Sequence, residues 1–303
     1  MGRGAGRRGD LGAALPGQAL AAGAALLVAL DRGPALARRV AVEAGGRPVG
    51  DYVYQGLLAV LLRLALRLHA EARGLAPAGL AALRADLDEE TCSKRHVESR
   101  GAWPRLLALL AAGDGDAGGP LDLGAFPFLA DAALEDPATR SLVDALTRVD
   151  GRPVDYRRLE LEQLGGLLEA LTGQRVVASP SGRMSLEAGS ERRRAGVHYT
   201  PRALAEQVAR RTLAPALGRS PSASSILSLR VCDPAMGAGV FLLAACRLLA
   251  RALVRAWRRE GDPRAEAVDA EAQARRLVAG RCLYGVDRSP LAVALTGHAL
   301  ALA

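Results

Sequence analysis

Apolar residues first fall into a sustained helical rhythm at Asp51. Leu57, Leu61, Leu64 and Leu68 recur every three or four positions, which predicts an amphipathic helix ending near Gly74. His69 lies beside that stripe and reads as a boundary residue. Shorter helical patterns follow at 78–88 and 104–112, then a Gly/Asp-rich turn at 113–120 whose spacing does not suit a calcium loop. Leu161, Leu164, Leu168 and Leu171 form another stripe, stopped at Gly173. Two extended stretches around Ser179-Pro180-Ser181-Gly182 predict a hairpin at 175–187, and the arginine triplet 192–194 reads as a solvated loop. Before Asp51 the pattern is weaker: one helix around 18–30, turn signals at Arg32-Gly33-Pro34 and at Gly45-Gly46, and a Gly/Ala/Arg-rich texture with little expected order.

The last third is patterned differently. Thr200 and Pro201 form an N-cap and first-turn signal for a helix carrying Leu204, Val208 and Leu213. Ile226 to Asp233 reads as a buried strand. It runs into the turn Pro234-Ala235-Met236-Gly237-Ala238-Gly239-Val240 and then into a helix with Leu242, Cys246, Leu249, Leu253 and Trp257 on one face. Arg247, Arg251, Arg255 and Arg259 line another face, read as the solvated one. A second strand, Cys282 to Asp287, ends in an acid, and Ser289-Pro290 caps the next helix.

Composition narrows the fold class. Of 303 residues 50% are hydrophobic, enough for a sizeable core, but only two Trp, five Tyr and three Phe are present, so that core is built from Leu, Ala and Val. An all-β fold is excluded on that ground. The formal net charge of +8 points weakly to a polyanion partner, because 39 of the 40 basic residues are arginine and the bias matches a GC-rich coding sequence. Lys94 is the one lysine, and no Gly-Lys-Ser or Glu-x-Lys pattern surrounds it, which argues against phosphate-loop and nuclease sites. Cys92, Cys232, Cys246 and Cys282 are scattered without a Cys-x-x-Cys pair. No zinc site or disulfide framework is expected, Cys92 with His96 being only two ligands, and the compartment reads as a reducing cytoplasm. Leu11 to Leu30 carries no charge, but its Ala/Gly content with Pro16 and Gln18 is too weakly apolar for a membrane span, so no membrane partner is expected.

The chemistry resides in the strand, glycine turn, helix unit. Such a turn lets backbone approach a ligand, and the helix amino terminus offers unpaired N–H groups. The dinucleotide fingerprint is incomplete, since Leu242 occupies its third glycine position. Two acids frame the turn, Asp233 before it and Asp287 at the end of the second strand, where a carboxylate can accept from both ribose hydroxyls. The plainer reading is a tight structural turn.

Taken in order, Tyr199-Thr200-Pro201, Asp233 to Leu242 and Asp287 resemble the cofactor-side motifs of adenine-N6 DNA methyltransferases of restriction and phage-defence systems. A weaker resemblance covers Leu66 to Pro77 and Val154 to Leu171, which are similar to the helical amino-terminal region of the large members. The resemblance implies an α/β fold: a helical amino-terminal region followed by the first half of a Rossmann-like class I methyltransferase sheet. It implies S-adenosyl-L-methionine as cofactor, held by Tyr199, Thr200, Asp233, Ala235, Met236, Gly237, Gly239 and Asp287. Ala238 replaces the family's usual serine and His198 a common tyrosine; neither change removes a required charge. The expected domains are an Ala/Gly/Arg-rich segment 1–50, a mainly helical domain 51–190, and the start of the methyltransferase domain at 191–303.

The family's Asn/Asp/Ser-Pro-Pro-aromatic motif, which holds a flipped adenine, has no counterpart, because no Pro-Pro dipeptide occurs. No catalytic residue is therefore assigned. The expectation is a fragment or split enzyme acting on DNA once completed by a carboxy-terminal half or companion subunit, with unpaired sheet edges in the part present. Two other readings stay open: a non-catalytic remnant or interaction subunit, and part of an RNA or protein methyltransferase.

Overall fold

A computed structural model describes residues 11–30, 34–92, 101–112, 118–132, 134–149, 151–159, 161–179, 183–189 and 200–302. Cys92 lies within a helix, but its side chain and His96 fall outside what is described, as do the arginine triplet 192–194, His198 and Tyr199. The chain divides into two compact units, 1–197 and 198–303. Both are mostly helical, and the strands among the described residues are short and lie in three two-stranded sheets.

The first unit contains α1 (Leu11–Leu30), α2 (Pro34–Glu43), α3 (Val49–Ala72), α4 (Gly79–Cys92), α5 (Ala102–Ala111), α6 (Pro127–Asp131), α7 (Asp136–Thr147) and α8 (Leu161–Thr172). Two antiparallel hairpins complete it: β1 (Arg148–Val149) with β2 (Arg152–Pro153), and β3 (Gln174–Ala178) with β4 (Met184–Ala188). The second hairpin occupies the segment where alternating residues and the Ser-Pro-Ser-Gly turn predict one.

Helix α3 departs from the expected amphipathic stripe. Its residues from Gly56 to Leu66 are buried all round, Arg63 included. A helix apolar on every face belongs in a core, and α3 is the central post of this unit. Its length and composition would also suit a membrane span, but 72% of its most apolar window is buried inside the protein. Arg63 survives there because its guanidinium donates to two carbonyls, at 3.0 Å to Leu110 and also to Leu121. His69, expected at the boundary, is fully buried instead, its ring edge-on to Tyr156 at 5.2 Å between centroids.

Helix α1 also corrects an expectation. Leu15, Ala19, Leu26, Leu27 and Leu30 are buried, and the helix packs on α3, α7 and α8. Residues 11–30, set apart from 51–190 by composition, therefore share a core with that region. The low hydrophobicity of Ala and Gly hides this in sequence, whereas their small size is what lets the helix approach its neighbours closely: a Cβ on Gly23 would sit 3.2 Å from Leu61.

The second unit runs α9 (Arg202–Leu217), α10 (Ala223–Leu227), β5 (Val231–Asp233), α11 (Val240–Glu260), α12 (Ala270–Cys282), β6 (Leu283–Gly285) and α13 (Pro290–Leu302). Strands β5 and β6 pair in parallel, Val231 opposite Leu283 and Asp233 opposite Gly285. Helices lie between the two strands, and this is the parallel pairing among the described residues, in a sheet of two strands. Trp257, Leu249, Leu253 and Cys246 on α11 are fully buried and form its core with Ile226, Ala274 and Val278.

The strand expected from Ile226 is shorter than its pattern. Ser222 caps a helical turn through its hydroxyl, which accepts from the Ser225 amide at 3.1 Å, so residues 223–227 are helical and only 231–233 extend. The expected cap at Thr200 also shifts. Pro201 occupies the N-cap position of α9 with ψ of 136°, no side chain caps the helix, and Leu204 and Val208 are exposed while Ala205, Ala209 and Leu213 are buried.

Candidate functional site

The turn after β5 is built by three neighbouring elements. Asp233 closes it locally, its Oδ1 accepting from the Ala235 amide at 3.1 Å. Beyond the strand ladder, Val286 donates to the Asp233 carbonyl at 2.9 Å and Met236 donates to the Val286 carbonyl at 3.0 Å, so the ends of β5 and β6 stay in register into the loops. Gly237 and Gly239 both take left-handed φ, +53° and +78°.

The two glycines are required for different reasons. A Cβ on Gly237 would meet open space, so only its dihedral favours glycine. At Gly239 a Cβ would also lie 2.5 Å from Cγ2 and 2.9 Å from Oγ1 of Thr296, because α13 packs against the turn. The Thr296 hydroxyl donates to the Gly237 carbonyl at 2.8 Å and is itself buried. Sequence reasoning missed Thr296. The available signal was a lone hydroxyl inside the apolar run Leu291 to Leu302, where a polar side chain needs a partner.

Asp287 lies two residues past β6 and is the second brace. Its Oδ2 accepts from the Gly237 amide at 2.9 Å and its Oδ1 from the Ser289 amide at 2.8 Å. Ser289 in turn caps α13, its hydroxyl accepting from Ala292 at 3.3 Å. The acid that sequence marked for ribose hydroxyls thus holds the glycine turn to the start of the next helix. Each carboxylate oxygen keeps a second lone pair for a further donor.

The other candidates separate. Met236 is buried and its side chain lies over β6, where a Cβ on Gly285 would collide with its sulfur and with Leu242; it fills the core and offers a ligand only its backbone. Ala235 is exposed on the turn, and Thr200 is half-buried ahead of α9. Tyr199 lies outside the described residues. Asp233, Ala235, Gly237, Gly239 and Asp287 are therefore gathered at one turn.

One atom there is conspicuous chemically. The Asp233 Oδ2 is buried without a hydrogen-bond partner. Such an atom carries a desolvation cost of about 1–3 kcal/mol until a donor reaches it. Beside it opens a cavity of about 230 Å³, walled by Val208, Thr212, Val231, Pro234 and Phe241. Burial raises the Cys246 thiol to about 11 and moves Cys282 in the same direction, so neither of these two buried cysteines is an activated nucleophile, while Cys232 is exposed beside Asp233. No cluster of three His, Cys, Asp or Glu suited to a metal occurs among the described residues.

Comparison of the chain with protein-family models, with characterised proteins and with solved structures finds no match.

Proposed function

We propose that the 198–303 unit is the cofactor-binding part of an S-adenosyl-L-methionine-dependent methyltransferase, of the adenine-N6 DNA type found in restriction and phage-defence systems. On this reading β5 and β6 are neighbouring strands of a Rossmann-like class I sheet. The carrying observation is the orphaned, buried Oδ2 of Asp233 at a left-handed glycine turn whose Gly237 amide is held by a second acid, Asp287. That donor set fits this ligand: its cationic amino group needs a carboxylate, its ribose diol a second one, and its methionine part a backbone free of side chains.

The bound cofactor would supply an electrophilic methyl group. Asp233 would hold the positive end of the molecule, Gly237 and Gly239 would let it lie against the turn, and Asp287 would accept from ribose while keeping its backbone bonds. Tyr199 and Thr200 remain the proposed contacts at the methionine end. The residues here provide no group for the base, so transfer to adenine would require residues other than these, from a further part of the enzyme or a companion subunit.

Titration of S-adenosyl-L-methionine onto the full chain, read as a shift in thermal unfolding through Trp257 fluorescence, tests this. At a hundredfold excess over Kd the second unit gains about 2.7 kcal/mol. Asp233→Asn keeps the Oδ1 bond to Ala235 and so preserves the unliganded transition, yet weakens the cofactor at least about tenfold by removing the charge. A cooperative transition that the cofactor does not move at millimolar concentration, or unchanged affinity in Asp233→Asn, rejects the proposal.

A further inference from the structure

Thr296 uses its hydroxyl differently from threonines in the helices of the first unit. On a helix a threonine commonly donates to the carbonyl four residues back, as Thr147 does to Val143 and Thr172 to Leu168, at 2.9 Å each. Helix geometry offers Thr296 the same acceptor at Ala292. Its hydroxyl crosses instead to the Gly237 carbonyl at 2.8 Å, 59 positions away in sequence.

The bond falls where the turn constrains itself least. Gly237 lies at φ +53°, and without a Cβ the peptide plane that follows it can take either of two opposite orientations. The Gly237 amide donates to Asp287 Oδ2 at 2.9 Å, which fixes the plane before the residue and leaves the one after it free. Thr296 fixes that second plane. Because the peptide is trans and planar, a carbonyl held toward α13 sends the Ala238 N–H the opposite way, clear of α13. Ala238 is half-buried, and its amide makes no hydrogen bond among the described residues. With the plane reversed, a carbonyl would stand where this N–H stands, replacing a donor by an acceptor.

We propose that Thr296 is a positioning residue of the glycine turn: its hydroxyl selects the orientation of the Gly237–Ala238 peptide that leaves the Ala238 N–H free to donate to the bound molecule. Thr296 touches no ligand and acts through Gly237. This role rests on the reading of the turn as the cofactor's, and it adds a selector on α13 that no glycine or acid pattern marks. The methyl group of Thr296 has a separate duty, since Cγ2 is the atom that a Cβ on Gly239 would approach to 2.5 Å. Hydroxyl and methyl therefore make different demands on a substitution.

The test is isothermal titration of S-adenosyl-L-methionine onto the full chain carrying Thr296→Val or Thr296→Ser, together with the Gly237 carbonyl carbon resonance of the unliganded proteins. Valine keeps the shape and loses the hydroxyl, whereas serine keeps the hydroxyl and loses the methyl. A positioning hydroxyl predicts affinity within about twofold in Thr296→Ser and weaker by about tenfold in Thr296→Val, the worth of one hydrogen bond. A residue that only fills space predicts the reverse order. The carbonyl resonance should move upfield in Thr296→Val, where its donor is gone, and stay near its place in Thr296→Ser. Unchanged affinity or an unmoved resonance in Thr296→Val, or a Thr296→Ser protein that binds no better than Thr296→Val, overturns this proposal alone. No binding by the unaltered chain overturns the cofactor reading and this role with it. Where Thr296→Val does not unfold cooperatively, Thr296→Ser decides: retained affinity upholds the role and a tenfold loss rejects it.

Discussion

The two units differ in how far along the chain their strands find partners. In the first, large polar groups reach inward and saturate backbone carbonyls: Trp103 donates to Leu129 at 2.7 Å, Tyr156 to Leu146 at 2.7 Å and Tyr52 to Ala125 at 3.0 Å. Its sheets are hairpins, paired with the strand adjacent in sequence. In the second unit the paired residues are 52 positions apart, and each strand has its other edge unpaired among the described residues. Each unit keeps buried polar atoms without hydrogen-bond partners, both ring nitrogens of His69 in the first and Trp257 Nε1 and Asp233 Oδ2 in the second, while Tyr284 in β6 and Val286 just after it are exposed. Local hairpin pairing thus serves the first unit and long-range parallel pairing the second, and in both the unpartnered buried groups carry a cost that the helical core must offset.

The sharpest way to break this contrast uses the two tryptophans, one in each unit and each fully buried. Trp103→Ala and Trp257→Ala should each remove about 3–5 kcal/mol from their own unit. Trp103→Ala should be the costlier by about 1 kcal/mol, because it also orphans the Leu129 carbonyl. Fluorescence of the remaining tryptophan in denaturant reports the other unit, so each variant should leave the surviving signal's midpoint unmoved. A shift in that midpoint would show that the two cores share their stability.

A smaller effect should come from His69. Burial, with the Arg73 charge adding to it, lowers its pKa from 6.5 to about 4. The neutral ring is favoured in the folded state, so the contribution is fully present above pH 6.5, declines as pH falls and is lost by about pH 4. That amounts to roughly 3 kcal/mol over the window. The first unit, followed through Trp103, should therefore weaken on acidification far more in the unaltered chain than in His69→Leu. Equal slopes would mean that the ring finds a partner when charged.

The smallest expected change sharpens the second unit. Ser289→Ala removes the cap on α13 and should cost about 1 kcal/mol. Because Thr296 on that helix bonds the Gly237 carbonyl, amide exchange should quicken at Gly237 and Gly239 as well as in α13. Faster exchange confined to α13 would uncouple the helix from the turn.

The candidate site was legible where its chemistry is local. Two glycines after an acid at a strand end, followed by an apolar helix, predict a turn whatever surrounds it, and Ser289-Pro290 predicts a cap that the structure contains. Where burial decided the outcome, the pattern misled. His69 sits beside a leucine stripe and reads as half-exposed, yet α3 is enclosed on every side. Leu204 and Val208 read as a core face, but alanines at 205 and 209 are buried instead. Met236, read as a ligand contact, fills space over Gly285.

Sequence alone determined the helical character of the chain, the parallel-strand signature around the glycine turn and the two acids that frame it, because propensity, capping and left-handed glycine act within a few residues. Only tertiary structure decided that α1 joins the first core, that Thr296 makes glycine obligatory at 239, and that Asp287 braces the turn. Each of these depends on which surfaces meet across tens of residues, and hydrophobic burial, being non-directional, leaves that choice to the packing of the whole unit.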